Sequence, residues 1–156
     1  MKKQFENVAV GGTFDLFHTG HKTLLLKAFE IGNHVLIGVT SDEYVKKSHK
    51  SHEIAPYSER LTMLNKFLEL NGFLERSEVV PLDDSYGITL SNRSIDAIVV
   101  SMETEPMAEK INAKRKSLGL PLLAVVAVSM VLSEDHYPIS STRIWFEEID
   151  RDGNLL

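Results

Sequence analysis

Two histidines three positions apart, His18 and His21, flank Gly20 just after an apolar run and at the start of a helical pattern. Imidazoles placed there meet the positive end of the helix dipole and its free N–H groups, a combination that favours an anion. Gly11 and Gly12 precede them and let a ligand approach the backbone closely. The glycine spacing fits neither the dinucleotide fingerprint nor a phosphate loop ending in Gly-Lys-Ser/Thr. Histidines at this spacing could both bind zinc, but no convincing third ligand accompanies them, and no metal ligand is assigned.

A second group stands late in the chain. Ser140, Ser141 and Thr142 precede the last helical pattern, where hydroxyls either cap the helix or donate to phosphate. Arg143 adds a planar, permanent charge suited to phosphate oxygens. The densest positive stretch is Lys46–His52, with three lysines and two histidines in seven residues. It reads either as a solvated loop or as a mobile lid that closes over phosphates. Asp15, Asp83, Asp84 and Glu103 are the acidic candidates. His136 and Tyr137 could flank a base or simply pack their loop.

The elements that must position these groups follow from hydropathy. Phe5–Val10, His34–Thr40, Ser77–Leu82, Ile95–Ser101 and Leu122–Val128 are apolar, β-branched runs without strict alternation, as in strands covered on both faces. Between them, Gly20–Ile31 carries Leu24, Leu25, Ala28 and Phe29 on one stripe. Ser58–Leu70 carries Leu61, Leu64, Phe67 and Leu68, with Ser58 as the expected N-cap. Glu103–Leu118 shows Met107, Ala108 and Ile111, and Asn71-Gly72 and Gly119 mark helix ends. The alternation predicts an α/β fold: a single doubly wound, Rossmann-like domain over residues 1–156 with a five-stranded parallel sheet. Ligands of such sheets bind beyond the carboxyl ends of the strands. That rule selects Gly11–His21, Ser41–His52, Ser101–Pro106 and Ser133–Arg143.

Composition narrows the classes. The chain has 156 residues, 43% of them hydrophobic and 25% charged, an ordinary globular balance. The lack of cysteine excludes disulfides, thiolate metal sites and cysteine nucleophiles. A net charge of −5 argues against non-specific nucleic-acid binding. The longest apolar run, Leu120–Val128, is nine residues and contains Pro121, too short to span a membrane. A soluble cytoplasmic protein, with no nucleic-acid or membrane partner, is expected.

The stretch Gly11-Gly12-Thr13-Phe14-Asp15 through His18-Thr19-Gly20-His21 resembles the His-X-Gly-His signature of the nucleotidyltransferase superfamily, which cradles the phosphates of a nucleoside triphosphate. Ile139-Ser140-Ser141-Thr142-Arg143 resembles the second superfamily signature, in the form typical of phosphopantetheine adenylyltransferases. Gly38–Glu43 with Lys46-Lys47, Pro56–Arg60, Asp84–Thr89, and Val100–Thr104 with Ile111-Asn112 and Arg115 resemble segments of the archaeal and eukaryotic branch. The resemblance covers essentially the whole chain. The Gly-Leu-Arg segment of the bacterial branch is absent, and Ser101–Thr104 stands in its place. Trp145 stands where a second arginine is common, and Phe17 where leucine is common.

The resemblance implies transfer of AMP from ATP to 4′-phosphopantetheine, giving dephospho-coenzyme A and pyrophosphate, with Mg²⁺ carried on the ATP phosphates. It assigns catalysis to His21, His18, Thr13 and Lys46, with Lys46 and Lys47 both open as the lysine on the transferred phosphate. Gly11, Gly12, Phe14, Gly20, Ser140, Ser141, Thr142 and Arg143 would hold the nucleotide. Thr13, Lys47, Glu103 and Thr104 would hold the acceptor. The alternatives are a cytidylyltransferase using glycerol 3-phosphate, an FMN or NMN adenylyltransferase, and a non-catalytic nucleotide-binding domain.

Overall fold

In a computed structural model, residues 3–48 and 52–156 are described. Five parallel strands form one sheet: β1 (Phe5–Gly12), β2 (Gly32–Thr40), β3 (Ser77–Leu82), β4 (Ala97–Ser101) and β5 (Ala124–Val128), in the order β3-β2-β1-β4-β5. The order reverses between β1 and β4, so the ends of these two strands frame the crevice where such sheets bind ligands. The doubly wound expectation is met, with strand ends shifted by a few residues.

Alternation along β1 divides the core. Val8 and Val10 face one layer, where α1 (Thr19–Ile31) and α3 (Tyr57–Leu70) lay Leu25, Phe29, Leu64 and Leu68 against the sheet. Ala9 faces the other, with Ile98, Val100 and, from α4 (Glu105–Ser117), Ala108 and Ile111. The predicted stripes are thus the buried ones. β5 is an edge strand and stays largely exposed. No helix among the described residues is long and apolar enough to cross a membrane.

Two local expectations are corrected. Ser41 caps a short helix, α2 (Asp42–Lys47), by accepting the Tyr44 N–H at 3.2 Å. Acidic residues in its first turn and Lys46 and Lys47 in its last complement the dipole. The two lysines therefore ride on a helix rather than on a loop. Ser58 is not an N-cap: α3 starts after Pro56 without a side-chain cap of its own. Asp42 Oδ1 accepts the Tyr57 N–H at 2.8 Å instead, so α2 supplies the cap of α3. His49, Lys50 and Ser51, the middle of the expected lid, lie outside the described residues.

Candidate active site

The chain leaves β1 through a turn in which Phe14 and Leu16 both adopt positive φ, 54° and 49°. Such backbone is costly for side chains of this size and persists only where surroundings over-determine it. Here Phe14 is 1% exposed, its ring against Phe17 and against His21 at 5.3 Å. Phe14, expected at the nucleotide, sets its buried ring as the floor under His21.

The two histidines build the start of α1. His18 is the N-cap, and its Nδ1 accepts the Gly20 N–H at 3.0 Å. His21 Nδ1 accepts the His18 N–H at 3.2 Å. This is a capping box made of imidazoles, closed at the usual three-residue spacing. The rings stack 3.7 Å apart at 20°. A Cβ at Gly20 would sit 2.8 Å from His18 Cε1, so only glycine leaves the ring its place. Burial, aided by the charge of Arg151, lowers the His18 pKa to about 4. Burial and then His18 hold His21 well below its ordinary value. Both rings are neutral near pH 7. With each Nδ1 accepting, the proton sits on Nε2 of both.

Thr13 is fixed from below. Arg60, 2% exposed, donates to the carbonyls of Thr13 at 2.9 Å, Thr40 at 2.7 Å and Ala55 at 2.8 Å, and pairs with Asp42 at 3.2 Å. One guanidinium thus joins the turn after β1, the end of β2, α2 and the start of α3. Sequence reasoning gives Arg60 no role beyond its place in the Pro56–Arg60 segment. Its clue is its place on the buried stripe of α3, where a cation needs partners.

Asp15 joins the two signature segments. Its buried carboxylate accepts the Ala55 N–H at 3.2 Å and meets His52 Nε2 at 3.3 Å. The Ser141 hydroxyl donates to the Asp15 carbonyl at 2.7 Å. His52 stacks on Trp145 and lies 3.5 Å from the Thr142 hydroxyl. The C-terminal end of the basic stretch is thus clamped between the first turn and α5 (Ser141–Trp145).

The hydroxyls of that last segment are committed within the fold. Ser140 accepts the Arg143 N–H as N-cap, and Ser141 is tied to Asp15. Arg143 reaches Asp135 with both NH groups, at 2.5 and 3.2 Å. It also donates to the Ser133 hydroxyl at 2.9 Å. Its bonds hold the Asp135 carboxyl far below the usual carboxylate range. The expectation of an arginine open to phosphate is not what the geometry shows.

On the second face of the sheet a cavity of about 570 Å³ runs from Gly11, Gly12 and Thr13 to α4. Its walls are mostly apolar, with Leu82, Ile88 and Met107 among them. Glu103 and Thr104, both expected at the acceptor, line it, as do Tyr86 of the Asp84–Thr89 segment and two residues that sequence reasoning missed, Tyr44 and Lys110. The Thr104 hydroxyl is engaged with the Ser101 N–H at 3.1 Å. Lys46 and Lys47 are exposed and outside the lining.

A parallel sheet with this crevice, and an imidazole pair at the helix that follows β1, define a nucleotidyltransferase domain. Residues 9–145 match the Cytidylyltransferase-like family. Curated relatives named phosphopantetheine adenylyltransferase include one from Methanothermobacter thermautotrophicus, 46% identical over 100% of this chain and 93% of its own length. Another, from Pyrococcus furiosus, is 44% identical over 99% and 96%. The chain belongs to the phosphopantetheine adenylyltransferases of the cytidylyltransferase-like family. A crystal structure described as a protein of unknown function from Archaeoglobus fulgidus superposes with a TM-score of 0.71 at 36% identity, covering 78% of this chain and 88% of that one. A tyrosyl-tRNA synthetase from the same organism, at 13% identity and a TM-score of 0.63 over 91% of this chain and 60% of its own, shares the fold alone.

Proposed function

We propose that this protein transfers AMP from ATP to 4′-phosphopantetheine, giving dephospho-coenzyme A and pyrophosphate. The observation that carries the reading is the position of the cavity, which runs from the Gly11–Thr13 turn along the sheet to α4. A long, amide-bearing arm ending in a phosphate matches that shape, with the phosphate at the Thr13 end and Glu103 and Lys110 available to the amides.

The acceptor phosphate is anionic at neutral pH, so its attack on the α-phosphorus needs no protein base. One acceptor oxygen forms the new P–O bond while the bond to the α,β-bridging oxygen breaks. Pyrophosphate leaves with that electron pair. The protein's work is to align two anions and stabilise charge that develops between them. In this reading His21 donates its Nε2–H to the α-phosphate, and His18 donates toward the β- and γ-phosphates. Neutral rings give aimed hydrogen bonds without net charge. Positive charge then comes from the helix start, from Lys46 or Lys47, and from arginine. Gly11, Gly12 and Gly20 supply bare backbone beside the nucleotide, and the N–H groups at the start of α5 close the far side.

Among the described residues no group of three or more His, Asp or Glu could hold a metal ion. Mg²⁺ in this reading rides on the triphosphate and water, and no step is routed through it. A reaction fed by ATP suits the cytoplasm.

Pyrophosphate release, followed for ATP with 4′-phosphopantetheine, FMN or NMN and for CTP with glycerol 3-phosphate, tests the reading. Release is expected to be fastest with ATP and 4′-phosphopantetheine. Faster release with another pair would reassign the acceptor, and ATP binding without turnover on any acceptor would leave a non-catalytic nucleotide-binding domain.

A further inference from the structure

We infer that Arg151, which belongs to neither signature, is the arginine that grips the β- and γ-phosphates of ATP, and that Arg143 is a structural tie. The inference rests on the adenylyl-transfer reading and names the arginine that reading leaves unassigned. Arg143 is ruled out by its commitments. Beyond Asp135 and Ser133 it donates to the Pro138 carbonyl at 3.4 Å, and its Nε lies 3.9 Å from Glu148. To meet a triphosphate it would have to abandon a two-pronged carboxylate contact, and the acid left behind would face the same phosphates.

Arg151 has the opposite setting. Its carbonyl accepts both the N–H and the hydroxyl of Thr19, each at 3.1 Å. Thr19 is the residue between His18 and Gly20, so Arg151 is docked on the start of α1. The turn that carries it is stiff. Asp150 Oδ1 accepts the N–H groups of Asp152 and Asn154, both at 2.9 Å, and Asp150 Oδ2 accepts from the Asn154 amide. Ile149 and Leu155 bridge antiparallel across the turn, and Ile149 is fully buried. The Arg151 side chain is exposed and makes no hydrogen bond or ion pair with any described residue. Its charge is felt at His18, whose pKa it helps to lower.

Three features that favour an anion thus meet at one place: the N-terminus of a 13-residue helix, two Nε2–H donors, and the Arg151 guanidinium, which has no ion pair among the described residues. Assembling them without an anion is electrostatically unfavourable. A polyphosphate relieves that, and a guanidinium binds phosphate oxygens in pairs. The site as built discriminates by phosphate number. The α-phosphate meets His21, whereas only a nucleotide with β- and γ-phosphates reaches Arg151.

Calorimetric titration of ATP and AMP into the unmutated protein and into Arg151→Gln, Arg151→Lys and Arg143→Gln separates the two arginines. Arg151→Gln is expected to weaken ATP about tenfold and AMP less than about twofold, with Arg151→Lys in between. Its thermal midpoint should stay unchanged, because the exposed side chain bears no packing and the Arg151 carbonyl is retained. Arg143→Gln should lower the thermal midpoint and leave the ratio of ATP to AMP affinity as it was. The inference is overturned if Arg151→Gln binds ATP as the unmutated protein does or loses both nucleotides alike. It is equally overturned if Arg143→Gln is the variant that selectively loses ATP. Turnover with 4′-phosphopantetheine is measured separately: its absence would sink the reaction while the ATP-to-AMP ratio still decides the role of Arg151.

Discussion

The two signature segments each set polar side chains at the start of a helix and differ in what the fold does with them. In the first, backbone N–H groups occupy the Nδ1 atoms of His18 and His21, leaving each Nε2–H to point elsewhere. In the second, Ser140, Ser141 and Arg143 spend their side chains on a cap, a tether to Asp15 and a pair with Asp135. The first segment uses internal bonds to present reactive atoms, and the second uses its polar atoms to hold the fold around them. A hydroxyl or a cation at a helix start is thus not in itself a phosphate ligand. Which of its atoms remain unspent decides.

The most direct way to break this contrast is at His21. His21→Ala is expected to lower kcat by about 10² or more, the loss typical of one donor to a transition state, with ATP affinity nearly unchanged. Single-turnover kinetics checks it, and a near-normal rate would remove His21 from the reacting centre.

A pH titration of stability sharpens the claim that the rings are neutral. Unfolded, His18 titrates near 6.5; folded, it titrates near 4. As pH falls the unfolded chain takes up the proton first. The contribution of His18 is therefore constant above about pH 6.5, turns destabilising through the window from 6.5 to 4, and reaches about 3 kcal/mol at pH 4. His18→Asn keeps a cap acceptor for the Gly20 N–H and removes the titration. Denaturant melts at pH 7 and pH 4 should show the variant losing about 3 kcal/mol less than the parent; parallel losses would mean a ring that charges freely in the folded state.

Asp42→Asn tests whether the base of the first segment is held through Arg60. The half-exposed carboxylate is replaced by an amide that still accepts the Tyr57 N–H but loses the charge facing Arg60. A drop in kcat of about three- to tenfold is expected from small misplacement of Thr13 and α2, with the fold intact by thermal melt. An unchanged kcat would reduce Arg60 to packing. The smallest effect is expected at Ser141. Ser141→Ala should cost about 1 kcal/mol by removing one partly buried hydrogen bond, with kcat inside about twofold. A tenfold fall in kcat would return that hydroxyl to the phosphates and erase the contrast.

Much of this was legible from residue types alone. The strands showed as continuous apolar runs because a parallel sheet is covered on both faces, and His18-Thr19-Gly20-His21 showed as two imidazoles at a helix start, although the capping box they close is seen only in the fold. What stayed hidden depended on pairs distant in sequence. α2 has no buried residue to make a stripe, although Ser41 followed by Asp42, Glu43, Lys46 and Lys47 carried the signals of a cap and a dipole. The cap of α3 came from Asp42, fifteen positions before Tyr57. That Arg143 is bound to Asp135, while the Arg151 side chain pairs with no described residue, follows from where Asp135 and Thr19 lie in space. A linear reading ranks the arginine inside a motif first.

The tie between Thr19 and Arg151 spans 132 positions, and the tie between Asp15 and Ser141 spans 126. On a ribosome, the glycine turn and its histidines emerge early, while their partners are still unmade. Helix α1 can form then, but its first residue lacks the carbonyl that later holds it, and the turn before it lacks Ser141. Nucleotide affinity should therefore arrive late in synthesis and abruptly, once residues 141–151 have cleared the exit tunnel. A nascent chain stalled before that point would carry the whole first signature and still leave cellular ATP alone.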